Sequence, residues 1–99
     1  MKFMVTWECH PDKRLDVMKY WVSLGRKGRA DVGKGVRLIG RWHSSADYTG
    51  VAILFAKDAK DLYRYLGKWA PMMDLNVVPV LEDEESARVG RAVLADLKG

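Results

Sequence analysis

The residues of this chain with chemistry beyond packing are two histidines, one cysteine and an arginine-tryptophan-histidine run. His43 closes the segment Arg37-Leu38-Ile39-Gly40-Arg41-Trp42-His43. An unperturbed imidazole titrates near pH ~6.5, so His43 is the best candidate for a general base or a hydrogen-bond donor. Arg41 could hold a carboxylate or an enolate-like oxygen. If the segment alternates as a strand, Arg37, Ile39, Arg41 and His43 share one face. That face also fits Thr6 and Glu8 on the first expected strand and Asn76 on the fourth. The candidate ligand-binding residues are Thr6, Arg41, Trp42 and His43, with His43 and Arg41 as the candidate catalytic pair. The plain alternative is that Arg41 and His43 pair with Glu8, or with a second chain, and only hold a register. A one-residue slip would send all of these side chains to the other face.

The remaining chemistry-bearing residues are less promising. Cys9 and His10 are adjacent and point apart if the strand runs through them. His10 and His43 would sit about two strand spacings apart, roughly 9–10 Å, too far to share one ion with bonds of about 2 Å. No CxxC or HxxxH spacing occurs. No metal and no cofactor is expected. No serine sits in a nucleophile-elbow sequence. Gly28, Gly33 and Gly35 do not follow a strand and open a helix, so they do not make a phosphate loop. Arg26, Lys27, Arg29, Lys34 and Arg37 carry much of the net charge of +4. No aromatic residue interleaves them between Leu24 and Val36, so a base-stacking platform is missing. They read as a solvated loop, and nucleic acid is not expected as a partner.

Ninety-nine residues, 48% hydrophobic and 30% charged, make one domain. Its core is expected over residues 1–82, with a C-terminal helix over about 83–98. No apolar run approaches the roughly 20 residues that span a bilayer. The start, Met1-Lys2-Phe3-Met4-Val5, does not read as a signal peptide, because Glu8 and Pro11 soon follow. A lone cysteine makes a reducing cytoplasm the default location.

Four strands and three helices must position these residues. Residues 2–8 alternate as a strand. Pro11 sits near the start of a helix over about 12–24, with Leu15, Met18, Trp21, Val22 and Gly25 on one side. Gly25 and Gly28 can end it. Strands over about 35–43 and 48–56 are close enough in sequence to form an antiparallel hairpin. Asp58 caps a second helix with an apolar face of Ala59, Leu62, Tyr63, Leu66 and Trp69, and Pro71 stops it. A fourth strand covers about 75–81, and Pro79 within it suits an edge. The acidic run from Glu82 to Glu85 opens the last helix, where negative charge is favourable.

The order βαββαβ with right-handed crossovers gives a ferredoxin-like α+β sheet in the order 4-1-3-2, both main helices on one face. The central strands are apolar on both faces: Val51, Ile53 and Phe55 oppose Ala52, Leu54 and Ala56. Leaving either set in water forfeits about 1.5–3 kcal/mol per large side chain. A second sheet from another copy is the economical cover. The expected assembly is a homodimeric α/β barrel with a space between two sheets. The competing arrangement is a monomer whose C-terminal helix folds back over the open face. The strand ends gather His10, His43, Trp7, Trp42 and Trp69 at one end of the sheet, with Trp21 as the exception.

Some of these residues also carry a likeness. Met1-Lys2-Phe3-Met4-Val5, Gly40-Arg41-Trp42-His43, Trp69 with Asp74-Leu75, and Val78-Pro79-Val80-Leu81 resemble a family of small bacterial proteins of unknown function. That family is placed in the dimeric α/β-barrel, ferredoxin-like group. The resemblance covers roughly residues 1–85. The basic stretch 26–34 and the helix after Ser86 are less typical of it. Members of the wider group include cofactor-free monooxygenases, isomerases and stress-responsive proteins, which implies a fold and not a reaction. The function expected is binding of a small apolar or aromatic molecule between the sheets. The alternative is a structural or protein-interaction module. The residues do not assign an enzymatic reaction.

Overall fold

A computed structural model describes all residues, Met1–Gly99. The elements run β1 (Lys2–Cys9), a 3-10 turn (Pro11–Lys13), α1 (Arg14–Ser23), α2 (Gly25–Ala30), β2 (Val36–Ser44), β3 (Thr49–Ala56), α3 (Ala59–Leu66), β4 (Met73–Val80) and α4 (Asp83–Lys98). All strand pairs are antiparallel and the sheet order is β2-β3-β1-β4. This is the expected ferredoxin-like α+β arrangement, read from the other edge. Pro79 lies in β4, an edge strand, where the missing N–H breaks no inner ladder.

The helices begin and end for local reasons. Asp58 accepts a hydrogen bond from Lys60 N at 2.9 Å and caps α3 as expected. Glu82 and Glu85 form a reciprocal capping box at the start of α4, and Glu82 also pairs with Lys2. α3 stops at Gly67, before Pro71, and residues 67–72 turn back to β4.

Two expectations about the first crossover need correction. The helix breaks near Gly25, whose φ is +68°, but the chain resumes as α2. Arg26, Lys27 and Arg29 therefore sit on a short helix, not in a loop. The stripe that faces the sheet is also different. Val17 is buried and Trp21 half-buried, whereas Leu15 and Val22 are exposed. Met18 and Trp21 of the expected stripe do line a cavity under the sheet, together with Val17, so the inward stripe is displaced by one position.

The main core lies between the sheet and α3. Phe3, Val5, Ala52, Leu54 and Ala56 project from the central strands onto Leu62 and Leu66. A smaller cluster of Cys9, Val17 and Met73 seals the end nearer α1. The opposite face has no helix over it. Its half-buried Met4, Val51, Ile53 and Phe55 are flanked by exposed Ile39, Trp42 and Val78. No residue of α4 is buried, so this helix does not fold back over the open face. The radius of gyration is 16.6 Å, against about 13 Å for a compact domain of this length.

The second strand carries the most consequential irregularity. Leu38 pairs with Leu54, but Gly40 pairs with the next residue, Ile53. Ile39 is thus an extra residue in β2, a bulge that shifts the strand by one phase. Leu38 faces the helices, and so do Arg41 opposite Ala52 and His43 opposite Gly50. Arg37, Ile39 and Trp42 face the open side. The alternation expected for Arg37, Ile39, Arg41 and His43 therefore fails between Ile39 and Arg41. Arg41 and His43 do not share a face with Thr6, Glu8 and Asn76.

Candidate functional site

The bulge delivers Arg41 and His43 to the helix-covered side, at the mouth of a cavity. The cavity measures about 350 Å³ and lies between the sheet, α1 and α3. Its floor includes the buried Val5, Ala52, Leu54, Leu66 and Met73. Trp7, Trp21, Trp69, Tyr48 and Tyr65 supply aromatic walls. His43, Ser44 and Ser45 form an exposed polar rim. The expected location was the space between two sheets. This cavity is instead on the opposite face and within one chain, while a second, more open hollow lies at Thr6, Glu8 and Asn76.

His43 stands between two indoles. Its ring centroid is 5.6 Å from Trp7, nearly edge-on at 66°, and 5.2 Å from Trp21 at 47°. Trp21 in turn meets Trp69 at 6.1 Å. Three tryptophans do converge, but they are Trp7, Trp21 and Trp69. Trp42 is the exception, with its ring folded over Gly40 on the open face. Trp21 arrives because α1 crosses the sheet above the end of β2, a placement that helical spacing alone does not show.

Arg41 is held from three sides. Nη1 donates to the Arg29 carbonyl at 3.0 Å, and Nη2 donates to the Tyr65 hydroxyl at 3.2 Å. The guanidinium lies 4.9 Å from the Trp21 ring centroid, and the Arg29 guanidinium lies 5.9 Å from the same ring. Such cation–π contacts stabilise by about 0.5–2 kcal/mol, more where water is excluded. They tie α1, α2 and β2 together through one indole. Arg41 does not pair with Glu8, which lies on the other face.

The charge states follow from this packing. Desolvation lowers the His43 pKa, and the neighbouring Arg41 cation lowers it further. His43 is therefore neutral at pH 7 and can accept a proton or a hydrogen bond. Burial pushes the Cys9 thiol up, opposed in part by Arg14, so it stays a protonated, unreactive core group. Hydrogen bonds from Ser44 and Thr49 lower the pKa of Asp47 in the β2–β3 turn.

That turn shapes the rim. Tyr48 has a φ of 58°, a left-handed conformation that is costly for a bulky residue. Its carbonyl accepts from Cys9 N at 3.0 Å, and the Arg14 guanidinium lies 5.3 Å from its ring centroid. Backbone strain is held in place here by contacts with β1 and α1.

Of the expected site residues, the fold brings Arg41 and His43 together and leaves Thr6 and Trp42 on the other side of the sheet. His10 pairs with Asp74 at 3.0 Å, where β1 meets β4. No group of three or more His, Cys, Asp or Glu residues could hold a metal ion. No helix is long and apolar enough to cross a membrane. Tyr48, Tyr65 and Trp21 are site residues that the strand pattern did not reveal. The one available signal was Gly40, since a glycine inside a strand often marks a bulge.

Comparison with known proteins gives a family without an assigned activity. Residues 1–94 match the family described as Domain of unknown function (DUF3303), and the chain belongs to it. No curated protein matches significantly. Among solved structures, protein Atu4242 from Agrobacterium tumefaciens is similar at 11% identity, with 84% of this chain and 96% of that one covered and a TM-score of 0.46. A putative antibiotic biosynthesis monooxygenase from Nitrosomonas europaea is similar at 14% identity, 83% and 100% coverage and a TM-score of 0.45. Rv0793 from Mycobacterium tuberculosis is similar at 12% identity, 83% and 95% coverage and a TM-score of 0.41. At such scores these likenesses carry no argument about activity.

Proposed function

We propose that this member of the DUF3303 family binds a small aromatic or apolar molecule in the cavity between its sheet and helices. The observation that carries the reading is the cavity itself: about 350 Å³ of space, walled by aromatic rings and open at a polar rim. Ligand sites are typically concave, mostly apolar and equipped with a few converging polar groups. Here those groups are Arg41, His43 and the Tyr65 hydroxyl. His43 is the group best suited to exchange a proton with a bound molecule. Native mass spectrometry of gently purified protein tests the reading. The expected result is extra small-molecule mass that is lost in Ala52→Leu, which fills the cavity floor. Protein that is empty, and that takes up no aromatic compound on addition, would overturn it.

We also propose that the chain works as a homodimer joined through the open sheet face. The support is the apolar row of Met4, Val51, Ile53 and Phe55, bordered by Ile39 and Trp42, with no helix covering it. Ile53→Asp should convert a dimer into a monomer in light scattering. A wild-type chain that is already monomeric at micromolar concentration would overturn this assembly.

A further inference from the structure

We infer that the ligand of this cavity is an acid: a flat aromatic body carrying an anionic oxygen that pairs with Arg41. The inference rests on the pocket reading above and specifies its chemistry. No aspartate or glutamate lines the cavity. Arg41 reaches it as a fixed cation, half-buried, and forms no salt bridge within the chain. Its two hydrogen bonds go to a neutral carbonyl and a neutral phenol. A guanidinium offers five N–H groups, so donors remain for a ligand.

The surroundings repeat the same imbalance. Arg29 stands on the Trp21 ring beside Arg41, and Arg14 stands on Tyr48. Neither is in a salt bridge, and Arg14 Nε is buried without a hydrogen-bond partner. Asp47, in the β2–β3 turn next to the rim, is exposed and satisfied by Ser44 and Thr49. Charges removed from water are normally paired. Arg41 is the one fixed cation that lines the cavity, with Arg29 and Arg14 stacked on its aromatic walls from outside, and no anion lines it; an anionic ligand would complete the ion pair. A planar guanidinium matches a carboxylate in a two-pronged contact. His43 is neutral beside it, so it can donate one N–H to the same anion or leave the charge to Arg41. The indoles of Trp7, Trp21 and Trp69 suit a flat ring system behind the anionic group.

Two probes of nearly equal shape separate charge from fit: 2-naphthoate and the neutral 2-naphthamide. Both are titrated calorimetrically into the full chain at pH 7.5, in the wild type, Arg41→Gln and Arg41→Lys. The expected result is naphthoate bound about tenfold or more tighter than naphthamide by the wild type. Arg41→Gln should erase the preference, so that the variant binds the two probes within about threefold of each other, while Arg41→Lys keeps part of it. If Arg41→Gln does not fold, the wild type and Arg41→Lys still decide. Equal binding of the two probes would leave the pocket standing and overturn the acid. A preference that survives in both variants would overturn the assignment to Arg41. Binding of neither probe at millimolar concentration would sink the pocket reading and this inference with it.

Discussion

Gly50 lies directly under the indole of Trp7: a Cβ at position 50 would stand 2.1 Å from Trp7 Cζ2. The two residues are register partners on β3 and β1, and His43 is the partner of Gly50 on its other side. The missing side chain opens a gap in that cross-strand row. Trp7 leans through it and meets the His43 ring. Gly50→Ala should therefore displace the indole, cost about 1–3 kcal/mol as an overpacking change, and weaken aromatic ligands. Near-UV circular dichroism checks the displacement and urea denaturation the cost. An unchanged near-UV spectrum would show that the ring does not depend on the gap.

His43 makes the stability of the fold pH-dependent in a defined direction. Its pKa is lowered in the folded chain, first by burial and then by Arg41, relative to about 6.5 when unfolded. Between the two values the unfolded chain holds the proton and the folded chain does not. Stability is then full above about pH 6.5 and declines as pH falls through that window to the lowered folded value, below which His43 adds no further change. Melting temperatures of wild type and His43→Gln, compared between pH 7.5 and 5.5, should diverge, with the wild type losing more. Parallel curves would mean that the ring is not desolvated.

The core helix α3 and the C-terminal helix α4 should respond very differently to truncated side chains. Leu62 is fully buried under the sheet, so Leu62→Ala should cost about 2–5 kcal/mol. Leu97 is 79% exposed on α4, so Leu97→Ala should change stability by no more than about 0.5 kcal/mol in a single chain. A larger effect at Leu97, growing with protein concentration, would show that α4 is buried by a second copy.

Removing residues 83–99 tests α4 as a whole. None of its residues is buried, and its apolar side chains Val89, Val93, Leu94 and Leu97 are all exposed. The shortened chain should keep its far-UV signature and cooperative melting. Light scattering then separates two roles. A dimer that persists assigns assembly to the open sheet face, and a dimer that is lost assigns it to α4. Failure of the shortened chain to fold would contradict the packing described above.

Much of the architecture was legible in the residues. Alternation located the four strands, the short link between residues 44 and 47 required a hairpin, and right-handed crossovers then left one sheet order. Pro79 marked an edge, and Asp58 and the acidic run at 82–85 marked helix starts. These are local signals, decided by side-chain chemistry within a few positions. The α2 helix was less legible, because Gly25 and Gly28 are breakers in a sequence window, yet the chain resumes as a helix from Gly25.

The composition of the site was decided elsewhere. Period-two alternation holds only while a ladder is unbroken, and the residue pairs that break it belong to another strand. Leu38 meets Leu54 and Gly40 meets Ile53, so Ile39 is left over and every later side chain of β2 changes face. That single extra residue moves Arg41 and His43 from the open side to the cavity and sends Trp42 the other way. Trp21 reaches His43 only because α1 crosses the sheet at that point. The sequence by itself determined which elements exist, in what order they pair and which residues have chemistry to offer. The tertiary structure alone decided which of those residues meet, because strand register and helix crossing are long-range contacts that no local pattern encodes.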